Sequence, residues 1–401
     1  MLRFLTAGES HGPSLVATLD SFPAGLCLNL DAINDELAKR QQGYGRGARQ
    51  KIETDKASFI GGVRHARTTG GPIAMLIENK DFANWQYVMS IAEVNVLSTE
   101  AQTQFEKKKI ERFRPGHADL AGTLKFQQTD IRDVLERASA RETAARVAVG
   151  AVCQQLLAQF GIQLSAHVIQ VGKVKADSWR GSLDELESKI TSSELFCADT
   201  TAQDKMIEVI KEAWQEGNSL GGVVEVLCDG LPVGLGSYTQ WDRKLDGLIA
   251  QAVMSIQAMK AVELGDGIEA AASYGFQVHD ALYPRQNGTP EEMPFNRKTN
   301  RAGGLEGGMT NGERLVVRAF MKPIPTMRKG IESLSFPEFQ ADVAHYERSD
   351  VCSISAASIV VKAMISFVLA QALLDKFGHD NLADIKKNFD NYTQYCRELG
   401  K

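Results

Sequence analysis

The chain has 401 residues, 43% hydrophobic and 24% charged, which is ordinary for a globular protein and ample for one large domain or two. Fifty acidic against 45 basic side chains give a net charge of −5, which argues against a protein that coats nucleic acid through bulk electrostatics. The six cysteines have no CxxC or paired Cys/His spacing, so neither a zinc site nor a disulfide framework is expected. The few apolar residues before Gly8 include Arg3 and do not read as a signal peptide, which points to the cytoplasm.

In chain order, the first apolar run stops at GESHGPS, residues 8–14, which sets His11 between Ser10 and Gly12. DAINDELAKRQ follows as a helix with Asp31 as its N-cap, Ile33 and Leu37 facing inward, and Lys39 and Arg40 in its last turn. From residue 39 to 67 eight cations (Lys39, Arg40, Arg46, Arg49, Lys51, Lys56, Arg64 and Arg67) face only Glu53 and Asp55. A charge run of this kind is commonly a solvated face. Here the arginines of RQQGYGRGARQKIETD alternate with Gly43, Gly45 and Gly47, so their planar forks are carried on a backbone that can approach an anion closely. RFRPGHADLAG then places Arg112, Arg114 and His117 around a Pro-Gly turn, where the histidine is either structural or functional. ERASARETAARVAVGAVCQQLLAQF reads as a buried helix with Ser139 and Glu142 as a capping box. Arg137 and Arg141 flank Ser139, which makes that helix start either a plain cap or an anion site.

The segment from about 172 to 217 is polar and acidic with helical stretches, and reads as a peripheral excursion. GGVVEVLCDGLPVGLGSY reads as a hairpin turning at Asp229 and Gly230, and residues 243–262 as one helix. Residues 284–300 lack periodicity, as mobile lids and binding loops do, and RAGGLEGGMTNGE supplies Gly307 among turns that suit either strands or a flat ligand. In HYERSDVCSISAASIVVKAM, Arg348 and Asp350 precede an apolar stretch from Val351 to Leu374. Its interspersed serines, Lys362 and Gln371 favour a buried core helix over a membrane span. Asp350 is either an N-cap or a carboxylate held ionised by Arg348.

GESHGPS, RQQGYGRGARQKIETD, RPGHADLAG, ERASARETAARVA, MSIQAMKAVELGDG, GGLEGGMTNG and ERSDVCSISAAS together resemble chorismate synthases, in the same order and over nearly the whole chain. The resemblance implies a lyase that uses reduced FMN to eliminate phosphate from 5-enolpyruvylshikimate 3-phosphate. That substrate bears two carboxylates and a phosphate, which suits Ser10, Arg40, Arg46, Arg49, Arg114, Arg141 and Arg348 as its binding residues. The resemblance makes His11 the general acid toward the departing phosphate, His117 the partner of the reduced flavin and Asp350 the base. It places FMN contacts at Arg137, Ala138, Ser139, Gln257, Ala258 and Gly307, along Lys322, Pro323, Ile324, Pro325 and Thr326, and at Arg348. Ala138 stands where many relatives carry Ser, and Gln257 where they carry Asn.

Mixed helices and strands without regular alternation predict a single large α+β domain over residues 1–401. The resemblance sharpens this to helices sandwiched between antiparallel sheets, assembled as a homotetramer, with no nucleic-acid or membrane partner and no metal. NADPH enters as a reductant that some family members use. The alternative reading is an FMN-dependent NADPH oxidoreductase, which would consume hydride donor with each turnover. An RNA-binding module would need aromatic and basic residues interleaved, and aromatics make up only 7% of this chain.

Overall fold

The computed structural model describes residues 1–47, 54–93, 98–285, 289, 292–347 and 349–399. Two antiparallel sheets enclose a layer of helices. The first sheet orders its strands Arg3–Ala7, Ser14–Asp20, Ile73–Glu78, Ala57–Gly61, each antiparallel to its neighbour. Its inner face follows from simple alternation: Leu15, Ala17 and Leu19 on one strand, and Ile73, Met75 and Ile77 on the next, are buried. The second sheet runs Met259–Leu264, Leu315–Met321, Gly222–Asp229, Gln163–Val171, Val174–Lys175, again all antiparallel.

Between the sheets lie two mostly apolar and largely buried helices, Thr143–Ala158 and Ile354–Phe377, the second of which pairs its buried Lys362 with Glu36 at 2.8 Å. The first packs on the strands Ser14–Asp20 and Ile73–Glu78, the second on Gln163–Val171 and Gly222–Asp229, and the two pack on each other. The apolar stretch near the C-terminus is thus the centre of the molecule, 94% buried over its most apolar window. Gly150 sits where the helices touch. A Cβ there would stand 2.4 Å from both Cα and Cβ of Ala363.

Several local expectations change once tertiary partners are in place. The N-cap of Leu30–Gln41 is Asn29, whose side chain accepts from the N–H groups of Asp31 and Ala32. Ser139 caps only a short 3-10 turn, Ala140–Glu142, and the capping box does not form, because Glu142 accepts from Arg146, Thr6 and Gln257 instead. The hairpin over 221–238 is absent: Gly222–Asp229 pairs with two strands remote in sequence, and the chain beyond Gly230 leaves the sheet. The helix read over 243–262 ends at Met254; Ala258 takes φ +67 and Met259–Leu264 enters the second sheet as a strand. The segment 172–217 is an outer layer tied to the core, since the helices Leu183–Thr191 and Thr200–Glu216 bury Leu186, Ile190, Met206 and Ile210 in the main apolar cluster. Residues 286–288 and 290–291 of the 284–300 loop lie outside the described residues, and its ends form a ribbon of Leu282–Pro284 with Phe295–Arg297.

Across the second sheet runs a row of directly opposed charges. His167 Nε2 donates to Glu225 at 3.0 Å, Arg318 donates to Glu225 at 2.9 Å, and Arg318 donates to Glu263 at 3.2 Å. Burial pushes the Glu225 carboxyl up, but the hydrogen bond and charge of His167 and the charge of Arg318 outweigh it and hold it at about 2. The folded-state value lies below the unfolded one, so this stabilisation is present above about pH 4.5 and is lost as pH falls toward 2. Acid unfolding followed by circular dichroism should therefore show a stability loss in that window that is shallower in Glu225→Gln. For the helix contact, Gly150→Ala gains about 1 kcal/mol of helix propensity but forces two backbones apart, at a cost of about 1–3 kcal/mol. A clash with backbone carbon cannot be relieved by rotation, so the urea midpoint should fall; an unchanged or higher midpoint would contradict the packing.

Candidate active site

The helix Ile131–Ala138 carries Glu136, a carboxylate 1% exposed that gathers the N-terminal turn around itself. His11 donates from Nδ1 to its two oxygens at 2.9 and 3.0 Å and from its backbone N–H at 2.8 Å, and Ser10 N–H bonds the Glu136 carbonyl at 3.1 Å. Arg132, one turn earlier, donates to the same carboxylate at 2.8 Å. Burial raises the Glu136 carboxyl, yet the hydrogen bonds and charge of His11 and the charge of Arg132 prevail and hold it below the usual carboxylate range. The indole of Trp85 stacks on the His11 ring at 3.8 Å, with Lys108 Nζ 3.9 Å from the indole centroid.

The arginines beside this turn are mostly committed to the protein. Arg141 donates from Nη1 to both Asp55 oxygens at 2.6 Å, and from Nε and Nη2 to Asn79 Oδ1 at 3.0 and 2.8 Å. Asn79 in turn donates to the Gly12 carbonyl at 2.7 Å, which ties the arginine to the histidine turn. Arg40 donates to Thr143 Oγ1 at 3.0 Å, the Ala140 carbonyl at 3.1 Å and Asp55 at 3.3 Å. Burial pushes the Arg40 guanidinium down to about 10, with Asp55 opposing and the charges of Arg141 and Arg46 adding to it. Arg137 spends its donors on Thr6 and the Gly8 carbonyl, and Ser139 Oγ lies 3.2 Å from Ser10 Oγ. Arg46 differs. It stands 3.2 Å from Asp350 without the alignment of a hydrogen bond, and its buried Nε and Nη1 have no hydrogen-bond partner. Asp350 accepts from Gly47 N–H at 2.7 Å, so Arg46 is the arginine seen beside Asp350, while Arg348 and Arg49 lie outside the described residues.

His117 repeats the arrangement around His11. Its Nδ1 donates to Asp119 Oδ1 at 2.6 Å, and Arg114 clamps Asp119 from Nε at 2.8 Å and Nη2 at 3.0 Å. Burial raises the enclosed Asp119 carboxyl, but hydrogen bonds from His117 and Arg114 and their charge pull it far below the ordinary range. Arg114 Nη1 reaches Thr326 Oγ1 at 3.4 Å. The segment Lys322–Thr326, with Pro323 and Pro325 limiting its freedom, bridges the neighbourhood. Lys322 N–H bonds the Ala258 carbonyl at 3.0 Å, Lys322 Nζ the Gly116 carbonyl at 2.6 Å, Ser219 Oγ the Ile324 carbonyl at 2.6 Å, and Ser349 Oγ the Thr326 carbonyl at 3.0 Å. His345 joins the two histidine groups: burial lowers its ring, Glu347 raises it, and the charges of Arg112, Arg114 and Arg132 lower it again.

The structure therefore brings together Ser10, His11, Arg40, Arg46, Arg114, His117, Arg137, Ala138, Ser139, Arg141, Gln257, Ala258, Lys322–Thr326 and Asp350 through shared partners. It does not bring Gly307 to them within one chain. Gly307 turns beside the start of Leu245–Met254, where Leu245 N–H bonds the Gly308 carbonyl at 2.8 Å, whereas Gln257 lies past that helix's other end. Ten helical residues span about 15 Å. Two open hollows, about 390 Å³ beside Phe22 and His379 and about 620 Å³ beside Phe276 and Lys298, share no residue with the cluster. Sequence reasoning missed Glu136, Asp119, Asp55, Asn79, Trp85 and Arg132. Asp119, two residues from His117, was within local reach; Glu136 meets a histidine 125 residues away, and no local pattern announces it.

The family model of chorismate synthase matches residues 2–374. The chain belongs to the chorismate synthase family. It is 49% identical over 398 residues to the chorismate synthase of Brevibacillus brevis, covering 99% of this chain and all of that one. Identity to the Geobacter sulfurreducens chorismate synthase is 48% over 399 residues, with the same coverage. A crystal structure of chorismate synthase superposes with a TM-score of 0.78 at 39% identity, covering 99% of both chains. The α+β sandwich is thus that family's fold. The flavin that the family uses fits the residues present: Gln257 keeps a buried Oε1 without a partner, and Arg137, Ser139 and Lys322 supply cation and hydroxyl nearby.

Stability separates the two kinds of arginine. Arg40→Met leaves Asp55 and the Ala140 carbonyl short of a buried donor and should cost about 3–5 kcal/mol. Arg46→Met takes the ion-pair partner from Asp350 but removes no hydrogen bond and also removes two unpartnered buried donors, so it should cost clearly less, about 1–2 kcal/mol. Equal losses in urea unfolding would contradict this division.

Proposed function

We propose that this cluster carries out the family's reaction, the FMN-dependent elimination of phosphate from 5-enolpyruvylshikimate 3-phosphate that forms chorismate, and that the protein is accordingly a carbon–oxygen lyase of aromatic amino acid biosynthesis. One observation carries the assignment of the site: two carboxylate-held histidines converge with Arg46, whose buried donors lack partners, in a chain that matches the family from end to end. Unsatisfied buried N–H groups are costly unless a ligand meets them, and a substrate with two carboxylates and a phosphate supplies acceptors of the right charge.

With Nδ1 on Glu136, His11 has Nε2 left to hand a proton or hydrogen bond to the departing phosphate, which leaves poorly as a bare trianion. Asp350, 3.2 Å from Arg46 and accepting from the Gly47 N–H, takes the proton that leaves the ring carbon. His117, with Nδ1 on Asp119, holds its other ring nitrogen for the cofactor. Arg137, Ala138, Ser139, Gln257, Ala258 and Lys322–Thr326 are the residues that would hold FMN, and Arg40, Arg114 and Arg141 shape the anion site through their buried pairs. Held by these residues, reduced FMN would supply an electron-rich ring beside the substrate, which would account for a redox cofactor in a reaction without net redox change.

A homotetrameric assembly, a cytoplasmic setting and, as in some family members, NADPH as a source of reduced flavin belong to the same reading. Exposed apolar side chains such as Leu5, Trp241, Tyr274 and Phe276 support assembly, and six free cysteines support a reducing compartment.

Anaerobic protein with FMN, dithionite and 5-enolpyruvylshikimate 3-phosphate should release phosphate and form chorismate in equal amounts, and lose both when reductant is omitted. His11→Ala should lower kcat about a hundredfold or more. Folded protein with fully reduced flavin and no phosphate release would overturn the reading, and NADPH consumed in step with turnover would favour the oxidoreductase.

A further inference from the structure

Each of the two site histidines is held by a buried carboxylate, and each carboxylate is held by an arginine. His11–Glu136–Arg132 and His117–Asp119–Arg114 are built alike although they come from different segments: Nδ1 to carboxylate at 2.9 and 2.6 Å, arginine to carboxylate at 2.8 Å in both. A carboxylate can only accept, so each ring must place a proton on Nδ1, and Nε2 becomes the nitrogen that exchanges with a ligand. Neither carboxylate has any exposed side-chain surface. Water therefore does not compete for these bonds, and the ring orientation is set by the protein.

We propose that Glu136 and Asp119 are positioning residues of the reaction: each fixes the tautomer and aim of one site histidine, and Arg132 and Arg114 lock the two carboxylates in place. This rests on the lyase reading of the site. The two assemblies differ in one respect that divides their work. Both Glu136 oxygens lie within 3.0 Å of His11 Nδ1, and the aromatic face of Trp85 is stacked on that ring, so His11 is held on its edge and on its face. Arg114 Nη2 lies 3.0 and 3.4 Å from the two ring nitrogens of His117, so a cation covers that ring where an aromatic face covers His11. His11, with its counterion on Nδ1, is thus placed to serve the departing phosphate through Nε2, and His117 to serve the cofactor through its own Nε2. The other charges around His11 are Glu9 in its own turn, Lys108 and Asp81 at Trp85, and Glu347 behind Arg132; His345 faces Arg114 beyond His117.

The test compares wild type, Glu136→Gln, Glu136→Asp and Asp119→Asn in the anaerobic phosphate-release assay over a range of pH, with FMN titrated separately into each. In Glu136→Gln the imidazolium loses its counterion, so kcat should fall about a hundredfold with KM within about threefold, and the alkaline limb of the kcat profile should move down by about one pH unit or more. Glu136→Asp should restore the position of that limb. Asp119→Asn should lower kcat and weaken FMN binding without moving it. If Glu136→Gln turns over within about threefold of wild type, or loses activity with the limb unmoved, Glu136 is structural only and the proposal fails. Should Glu136→Gln not fold, Glu136→Asp and Asp119→Asn decide it by the same limb and FMN readouts. Wild type without phosphate release would instead overturn the lyase reading, so the two failures are distinct.

Discussion

The contact between Gly150 and Ala363 lets two mostly apolar helices touch at backbone distance, and the positions of both sheets follow from that contact. Thr143–Ala158 carries the first sheet and Ile354–Phe377 the second, so the space between the sheets is set by how closely these helices approach. Both helices also begin at the active site. Arg40 bonds Thr143 and Ala140 at the start of one and feels the charge of Asp350 ahead of the other, while the Gly45 carbonyl accepts from the Val351 N–H at 2.9 Å. Two helix starts, each a positive dipole end, thus border a region that suits anions.

That region would be unstable if its cations were simply placed together. Asp55 separates Arg40 from Arg141, Asp119 absorbs Arg114, and Glu136 absorbs Arg132. Each buried pair roughly offsets its own desolvation and adds little net stability, but removing one partner is expensive, which makes these acids as indispensable as the arginines. The outcome is selective: most guanidinium groups are satisfied by the protein and serve as fixed positive walls, and Arg46 keeps donors for a ligand.

Much of this was legible in the residues. The buried helices announce themselves by long, mostly apolar runs, and the basic patch, the Pro-Gly turn at His117 and the turn at His11 by composition alone. What was not legible depended on partners far away in the chain. The mostly apolar strand at 222–229 looks like half of a local hairpin, because nothing in it reveals partners beginning at Gln163 and Leu315. Glu142 has the spacing of a capping box, yet Arg146 and Thr6 compete for it more strongly. The resemblance carried Gly307 to the flavin site, but the helix Leu245–Met254 separates it from Gln257 within a single chain. Counterions are the general blind spot, since an arginine in a sequence shows its charge and not which acid will spend it.

The most direct measurement is a structure of the protein with FMN and 5-enolpyruvylshikimate 3-phosphate bound. The account predicts substrate anions on Arg46 Nε and Nη1, the phosphate within reach of His11 Nε2, and Glu136 and Asp119 still on the Nδ1 atoms of their histidines. Substrate bound in either open hollow, or against the cluster with Arg46 left unpaired, would contradict it.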